Sequence, residues 1–336
     1  VKLLVIGGTI FVGHHIVEAA LRAGHEVTLF NRGQSNPDAF PEVEKLIGDR
    51  NSDLSALEGR SWDAVIDTSG YIPKTVKRLA ELLADRVEHY TFISSISVYK
   101  EFMKPGMDEN GPLLELEDPD IEDVWNYYGE MKVLSERHLD AIMPGRALHL
   151  RSGLIAGPRD PMDRFTYWAT RVQRGGKVLA PGRPQDPIQI IDVRDLAAWT
   201  IAMVEAKHSG AFNVVGPDYP LTFERLLNEC QSVTRSDAEF EWVNSDFLMN
   251  KKVIPWDEMP LWNPCQGETA NMIYYLAQSN QKALDHGLRI RPLADTIRDV
   301  LAWDATRPAD QIRSAGLAAK KEGRLLTEWL ANKEQG

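Results

Sequence analysis

Tyr128 and Lys132, four residues apart in Tyr128-Gly129-Glu130-Met131-Lys132, are the pair whose types and spacing have the clearest chemical use. On a helix they lie about 40° apart around the axis, on one edge of the stripe made by Met131, Leu134, Leu139 and Ile142. A free phenol has a pKa of about 10, so acting near pH 7 takes about 4 kcal/mol of preference for the phenolate. A neighbouring ammonium and a cofactor cation both act in that direction. Such a tyrosine gives or takes a proton while hydride moves to or from a nicotinamide ring. Hydroxyls that could hold the reacting oxygen crowd the end of an apolar run, Phe92-Ile93-Ser94-Ser95-Ile96-Ser97-Val98-Tyr99. A YxxxK spacing alone is common by chance and is ordinarily a surface helix pair. It gains specificity here by following a serine-rich strand end and, earlier, a glycine-rich turn.

That turn is Gly7-Gly8-Thr9-Ile10-Phe11-Val12-Gly13, directly after the apolar run Val1 to Ile6. At the first turn of a βαβ unit, backbone N–H groups and a helix N-terminus form an anion site, and glycine lets a pyrophosphate approach the backbone. Gly7 is expected to make the tight turn and Gly13 to permit close helix–strand packing, with Thr9, Ile10, Phe11 and Val12 between them at the cofactor. Ile10 stands where the usual fingerprint has its middle glycine. At the end of the second strand, where an acidic residue would bind ribose hydroxyls, the chain has Asn31-Arg32-Gly33. A guanidinium there can pair with a 2′-phosphate, so the residues favour NADP(H) over NAD(H). Asp49 is either an acceptor for the adenine amino group or a turn residue.

The elements needed to position these groups follow from hydrophobic periodicity. His14 to Ala23 has helical spacing through Ile16, Ala19, Ala20 and Ala23, Gly24 suits a helix C-terminus, and Glu26 to Phe30 reads as a second strand. Further buried strands are predicted at Ala64-Val65-Ile66, His89 to Ile93 and Ala147 to Leu150, with a helical stretch from Thr75 to Leu83. The alternation predicts an α/β Rossmann-type, doubly wound parallel sheet with a smaller C-terminal substrate lobe. Prolines at 158, 161, 181, 184 and 187, and four tryptophans between 199 and 262, mark the change of texture. The expected division is a cofactor domain over residues 1–158 and 188–210, and a substrate lobe over 159–187 and 211–336 ending in an amphipathic helix from Leu317 to Leu330.

Charge and composition narrow the classes. The 336 residues carry a net charge of −11, which opposes non-specific nucleic-acid binding. No apolar run approaches the roughly 20 residues of a membrane helix and no leader pattern is visible, so a cytoplasmic protein is expected. Cys230 and Cys265 form no CxxC, and His14 and His15 have no third ligand nearby in sequence, so no metal site is expected.

Over residues 1–305 the chain resembles the extended short-chain dehydrogenase/reductases, the NAD(P)-dependent epimerase/dehydratase group. The resemblance is carried by residues 7 to 13, 92 to 99, Tyr128 to Lys132, 150 to 158 (Leu-Arg-Ser-Gly-Leu-Ile-Ala-Gly-Pro) and 191 to 197 (Ile-Asp-Val-Arg-Asp-Leu-Ala). It implies that Ser95 and Tyr128 are catalytic, with Tyr128 the acid/base. Lys132 is implied to contact the nicotinamide ribose and lower the tyrosine's pKa, and Asp67, Thr68, Ser69 and Gly70 to line the cofactor. It also implies that the second lobe sets specificity; homodimers are common in the family. The GGTxFxG turn places the chain near a subgroup that includes epimerases, reductases and chloroplast stem-loop RNA-binding proteins. Leu154 and Ile188 stand where sugar-nucleotide epimerases of the family commonly have an asparagine and a diphosphate-binding arginine. Arg159, Arg164, Arg183 and Arg194 are alternative anion ligands.

The expectation is therefore an NADP(H)-dependent oxidoreductase acting on a small molecule at a secondary alcohol or ketone. Its alternatives are a sugar-nucleotide epimerase/dehydratase with tightly bound NAD, an RNA-binding module and a redox-sensing module on the same fold. Met259-Pro260-Leu261-Trp262 either closes over the substrate or packs the second lobe.

Overall fold

A computed structural model describes residues 1–308 and 310–335. Strands β1 (Lys2–Ile6), β2 (Glu26–Asn31), β3 (Glu44–Ile47), β4 (Ala64–Asp67), β5 (His89–Ser95) and β6 (Ala147–Ser152) join with a later strand, β11 (Gly210–Val214), in one sheet of order β11-β6-β5-β4-β1-β2-β3. Every pairing in it is parallel. The chain starts in the middle, runs outward to β3, then returns to β4 and builds the other half. Its topological switch lies between β1 and β4, where a doubly wound sheet leaves a crevice at the carboxyl ends of its strands.

Both faces are covered, which explains why the strands read as continuous apolar runs rather than alternating ones. Leu3 and Val5 point into a core with Ile16, Val17 and Ala20 of helix α1 (Phe11–Arg22) and Leu196 of helix α5 (Val193–Glu205). Leu4 and Ile6 point the other way, onto Val76 and Leu79 of helix α2 (Pro73–Leu83) and Leu139 of helix α3 (Tyr128–Ile142). Trp199 lies in α5, within the expected 188–210 return segment, and packs on the sheet.

The second lobe has its own core around Trp168, Phe223 and Trp262. It gathers helices α4 (Arg164–Gln173), α6 (Phe223–Thr234), α7 (Ser245–Asn250) and α9 (Leu293–Asp304). Two short ladders complete it, β8 (Lys177–Pro181) with β13 (Glu239–Val243) and β9 (Pro187–Ile188) with β12 (Leu221–Thr222), while a third, β7 (Ile155–Ala156) with β10 (Ile191–Asp192), places Ile155 and Ile191 on the sheet-side core. Met259, Leu261 and Trp262 are buried in this core, so that segment packs the lobe and does not close over a ligand. Helix α10 (Ala319–Gln335) docks on it through Leu325 and Leu326, and its Glu322 binds the Arg171 guanidinium at 2.8 Å.

The expected boundary at residues 210 and 211 cuts through β11. Phe212 and Val214 sit in the sheet core, and helix α8 (Gln281–Asp285) also packs there through Ala283. A strand this short has no periodicity that tells it from a buried piece of another element, so its place in the sheet is invisible in sequence. Among the described residues no helix is long and apolar enough to cross a membrane.

Candidate active site

The glycine turn closes β1 and launches α1. Gly7 has φ +100°, and a Cβ there would meet Thr68 Oγ1 at 2.7 Å, so only glycine fits both the backbone and the space. At Gly13 a Cβ would meet the Gly8 nitrogen at 2.7 Å; its absence lets the helix start lie against the turn. Ile10 precedes α1 without any side-chain cap, and the first turn contains no acidic residue. The first intrahelical bond is from His14 N–H to the Ile10 carbonyl, which leaves the amides of Phe11, Val12 and Gly13 directed out of the helix end. An uncapped helix start behind a left-handed glycine turn fits a pyrophosphate. Thr9 is buried, while Ile10 is 49% exposed. His14 and His15 both pair with Glu18, and His15 also bonds the Pro158 carbonyl.

Asn31 braces this turn. Its amide donates to the Gly7 carbonyl at 2.9 Å and its oxygen accepts from Gly33 N–H, while Asn36 donates to the Thr9 carbonyl. Arg32 beside it is exposed. Asp49 serves as a turn residue: its carboxylate accepts from Asn51 N–H and its backbone bridges Asp53.

Asp67 departs from expectation. Its carboxylate is fully buried, held by Arg50 at 2.7 and 2.9 Å and by the Tyr90 hydroxyl at 2.8 Å, so it does not line a cofactor surface. Burial opposes its charge, but the Arg50 guanidinium holds the carboxyl below its ordinary range. Ser69 joins the same cluster through Arg50, and Thr68 Oγ1 donates to the Ile6 carbonyl beneath the glycine turn. Gly70 contributes its carbonyl, which accepts from Lys132 Nζ at 2.8 Å.

Helix α3 delivers Tyr128 at its first position and Lys132 one turn later. Gly129 between them makes this approach possible, since a Cβ there would lie 2.2 Å from the Ser97 carbonyl oxygen. On the facing strand end, Ser95 donates to Ser97 Oγ at 3.1 Å, and Ser97 Oγ meets the Tyr275 hydroxyl from the second lobe at 3.0 Å. A cavity of ≈ 150 Å³ is lined by Val12 of the turn, Thr68, Ser95, Tyr128 and Lys132, with Gly153 across from them. The structure thus brings the turn and all three expected catalytic residues to one space, while the Asp67 carboxylate is turned into the Arg50 cluster.

Burial dominates the electrostatics of the cavity. Burial pushes the Tyr128 phenol above its ordinary range, and the Tyr71 and Tyr275 phenols add to this, whereas the Ser95 hydroxyl and Arg164 oppose it. Burial also brings the Lys132 ammonium down to about 7, against the pull of Asp67 and Glu136. Lys132 spends two N–H bonds on the Gly70 and Ile93 carbonyls and sits 5.6 Å from the centre of the Tyr128 ring. Two of its hydrogens are thus committed to backbone carbonyls, and it lies closer to the Phe92 ring, at 4.6 Å.

Sequence reasoning missed several supports. Glu136, one turn beyond Lys132 on α3, accepts from Ser94 at 2.6 Å and pairs with buried Arg151 at 2.7 Å. Its i, i+4 spacing from Lys132 was a usable signal. Arg50, Gly129 and Tyr275 gave none, because their partners are set by the fold.

Comparison with known proteins places this arrangement. The model of the NAD dependent epimerase/dehydratase family matches residues 3–215. The chloroplast stem-loop binding protein of 41 kDa b of Arabidopsis thaliana is 25% identical over 251 residues, which are 68% of this chain and 62% of that protein's length. Among solved structures, UDP-glucuronic acid 4-epimerase from Bacillus cereus in complex with NAD superimposes with TM-score 0.64 at 16% identity, over 90% of this chain and 98% of that one. UDP-N-acetylglucosamine 4-epimerase from Methanobrevibacter ruminantium in complex with UDP-N-acetylmuramic acid gives TM-score 0.67 at 17% identity, over 91% and 98%.

Proposed function

The chain belongs to the NAD dependent epimerase/dehydratase family, and from that premise we propose that it moves hydride between a nicotinamide cofactor and the carbon of a secondary alcohol or ketone. The observation that carries this reading is the single cavity shared by Val12, Thr68, Ser95, Tyr128 and Lys132. The first-turn amides of α1 would hold the cofactor's pyrophosphate, and Lys132 its ribose. When bound, the nicotinamide ring supplies the hydride acceptor or donor. The protein's part is the proton. Raised by burial, the Tyr128 phenol is protonated at neutral pH and set to donate to a carbonyl oxygen; in the opposite direction the phenolate takes the proton of the alcohol as hydride leaves its carbon. Ser95 holds that oxygen in place.

Replacing Tyr128 by Phe removes only the hydroxyl. Turnover on a panel of ketones and UDP-sugars should fall by about 10²- to 10⁴-fold, with the cofactor dissociation constant unchanged. Retained turnover would sink the assignment.

For the cofactor, the finer proposal is NADP(H), supported by exposed Arg32 at the end of β2; the solved relative from Bacillus cereus is a complex with NAD. A second reading, a sugar-nucleotide epimerase that keeps its cofactor, draws support from the 4-epimerases of like fold. Against it, Ile188 is 1% exposed in the second-lobe core and Leu154 packs on that core, so neither position offers the polar contact expected there. Near-stoichiometric nucleotide in protein purified without added cofactor favours the epimerase, and none favours the exchanging oxidoreductase. The name of the Arabidopsis relative raises RNA binding, which the net charge of −11 opposes.

A further inference from the structure

Arg164 opens α4. Its side chain is half-buried, and among the described residues it has neither a hydrogen bond nor an ion pair. Other inward-lying arginines of the same lobe are neutralised: Arg171 by Glu322 at 2.8 Å, Arg307 by Asp163 at 2.6 Å and Arg313 by Asp304 at 3.0 Å. Nearby carboxylates are engaged elsewhere. Asp163 binds Arg307 and the Ser314 amide, and Asp160 accepts from the Met162 amide. The position does not serve the helix either, because a cation in the first turn faces the positive end of the macrodipole and that turn has no acidic residue. Asp160 feels the Arg164 charge but makes no contact with it, and a partly desolvated guanidinium with no anion in contact is costly and can accept one.

Its surroundings lead to the catalytic serine. The guanidinium lies over the Trp256 ring at 6.0 Å, and Trp256 meets Tyr275 edge-on at 5.7 Å. Tyr275 reaches Ser97 Oγ, which bonds Ser95 Oγ. The other candidate arginines do not fit: Arg183 pairs with Asp186, Arg194 pairs with Asp192 and Asp299, and Arg159 is exposed. The field of Arg164 favours ionisation of both the Tyr128 and the Tyr275 phenols, consistent with its charge reaching the cavity.

We propose that Arg164 binds an anionic group of the substrate, a carboxylate or a phosphate, with Trp256 as the wall behind it. This rests on the hydride-transfer reading, since it places the substrate's reacting carbon at Ser95 and Tyr128. Trp256 and Tyr275 link Arg164 to Ser97, so the acidic group is placed on the second-lobe side of the reacting carbon.

The test titrates inorganic phosphate and malonate separately into wild type, Arg164→Gln and Arg164→Lys, each with saturating NADP⁺ or NAD⁺ so that the α1 amides are occupied. Calorimetry reads the anion affinity, and a separate titration reads the cofactor. Wild type should bind at least one anion, Arg164→Gln about tenfold or more weakly, and Arg164→Lys between the two. Phosphate binding alone assigns a phosphorylated substrate and malonate binding alone a carboxylate. Neither anion binding wild type, or equal affinity in Arg164→Gln, overturns the proposal. Failure of wild type to bind either cofactor instead overturns the hydride-transfer reading, so the two failures are distinguishable. Arg164→Lys, which preserves the charge, guards against a folding defect in the glutamine variant.

Discussion

Lys132 carries a charge that the fold disfavours, and replacing it by Met tests this quantitatively. The side chain is 4% exposed, and burial moves its ammonium from an ordinary 10.5 to about 7. Below about pH 7 both folded and unfolded chains hold the proton, and the folded state bears the whole penalty. Between pH 7 and 10.5 only the unfolded chain holds it, so raising the pH stabilises the fold; above that window the penalty is gone. The slope is about 1.4 kcal/mol per pH unit, and the full penalty about 5 kcal/mol. Lys132→Met removes this term and strips the Gly70 and Ile93 carbonyls of their donor, a pH-independent cost of about 1–3 kcal/mol each. The stability of the variant relative to wild type should therefore be most favourable at about pH 6 to 7 and decline by about 1.4 kcal/mol per unit toward pH 10. Urea unfolding of both cofactor-free proteins across that range measures it. A difference that stays flat with pH would refute the reasoning and show Lys132 fully charged in the fold.

Gly13→Ala puts a methyl 2.7 Å from the Gly8 nitrogen and 2.9 Å from its Cα; the turn must move, so the cofactor dissociation constant should rise by about tenfold or more, and calorimetry finding no change would contradict the cradle. Glu136→Ala leaves Arg151, paired with Glu136 at 2.7 Å, buried without its carboxylate, at a cost of about 3–5 kcal/mol. Chemical denaturation should show that loss, and one below about 1 kcal/mol speaks against the pair's role. Arg32→Asp should shift the NADP⁺ to NAD⁺ affinity ratio by about tenfold or more toward NAD⁺, measured by direct titration; an unmoved ratio removes Arg32 from the cofactor site.

What is legible in the chain is whatever has a local rule. The glycine turn, the apolar strands of a sheet covered on both faces, and the one-turn spacing of Tyr128 and Lys132 are constraints within a single element or turn, so they leave a mark in sequence. Asp67 and Arg50 are seventeen residues apart, and their pairing at 2.7 Å depends on β4 lying beside the turn after β3. No periodicity encodes such a meeting, and a residue that ends a strand at the glycine turn reads as cofactor-lining even when, like Asp67, it faces an arginine inside. Asn31 sits where the sequence places it, and its amide also holds the Gly7 carbonyl, an interaction visible only once β1 and β2 are paired. The second-lobe contributions are the least legible, since Tyr275 reaches Ser97 across 178 positions.

The Ser95 hydroxyl has a single hydrogen, and in the resting arrangement it is directed at Ser97. On the proposed reading, a substrate oxygen receives it only if that bond is surrendered, and Ser97 must then settle with Tyr275 alone. Arrival of the substrate is thus an exchange of partners along a short relay. An apolar molecule of the right shape offers nothing in return for the bond it would break. Selection of a polar carbon–oxygen group therefore begins before any hydride moves, and residues around Tyr275 can tune it without touching the reacting atoms.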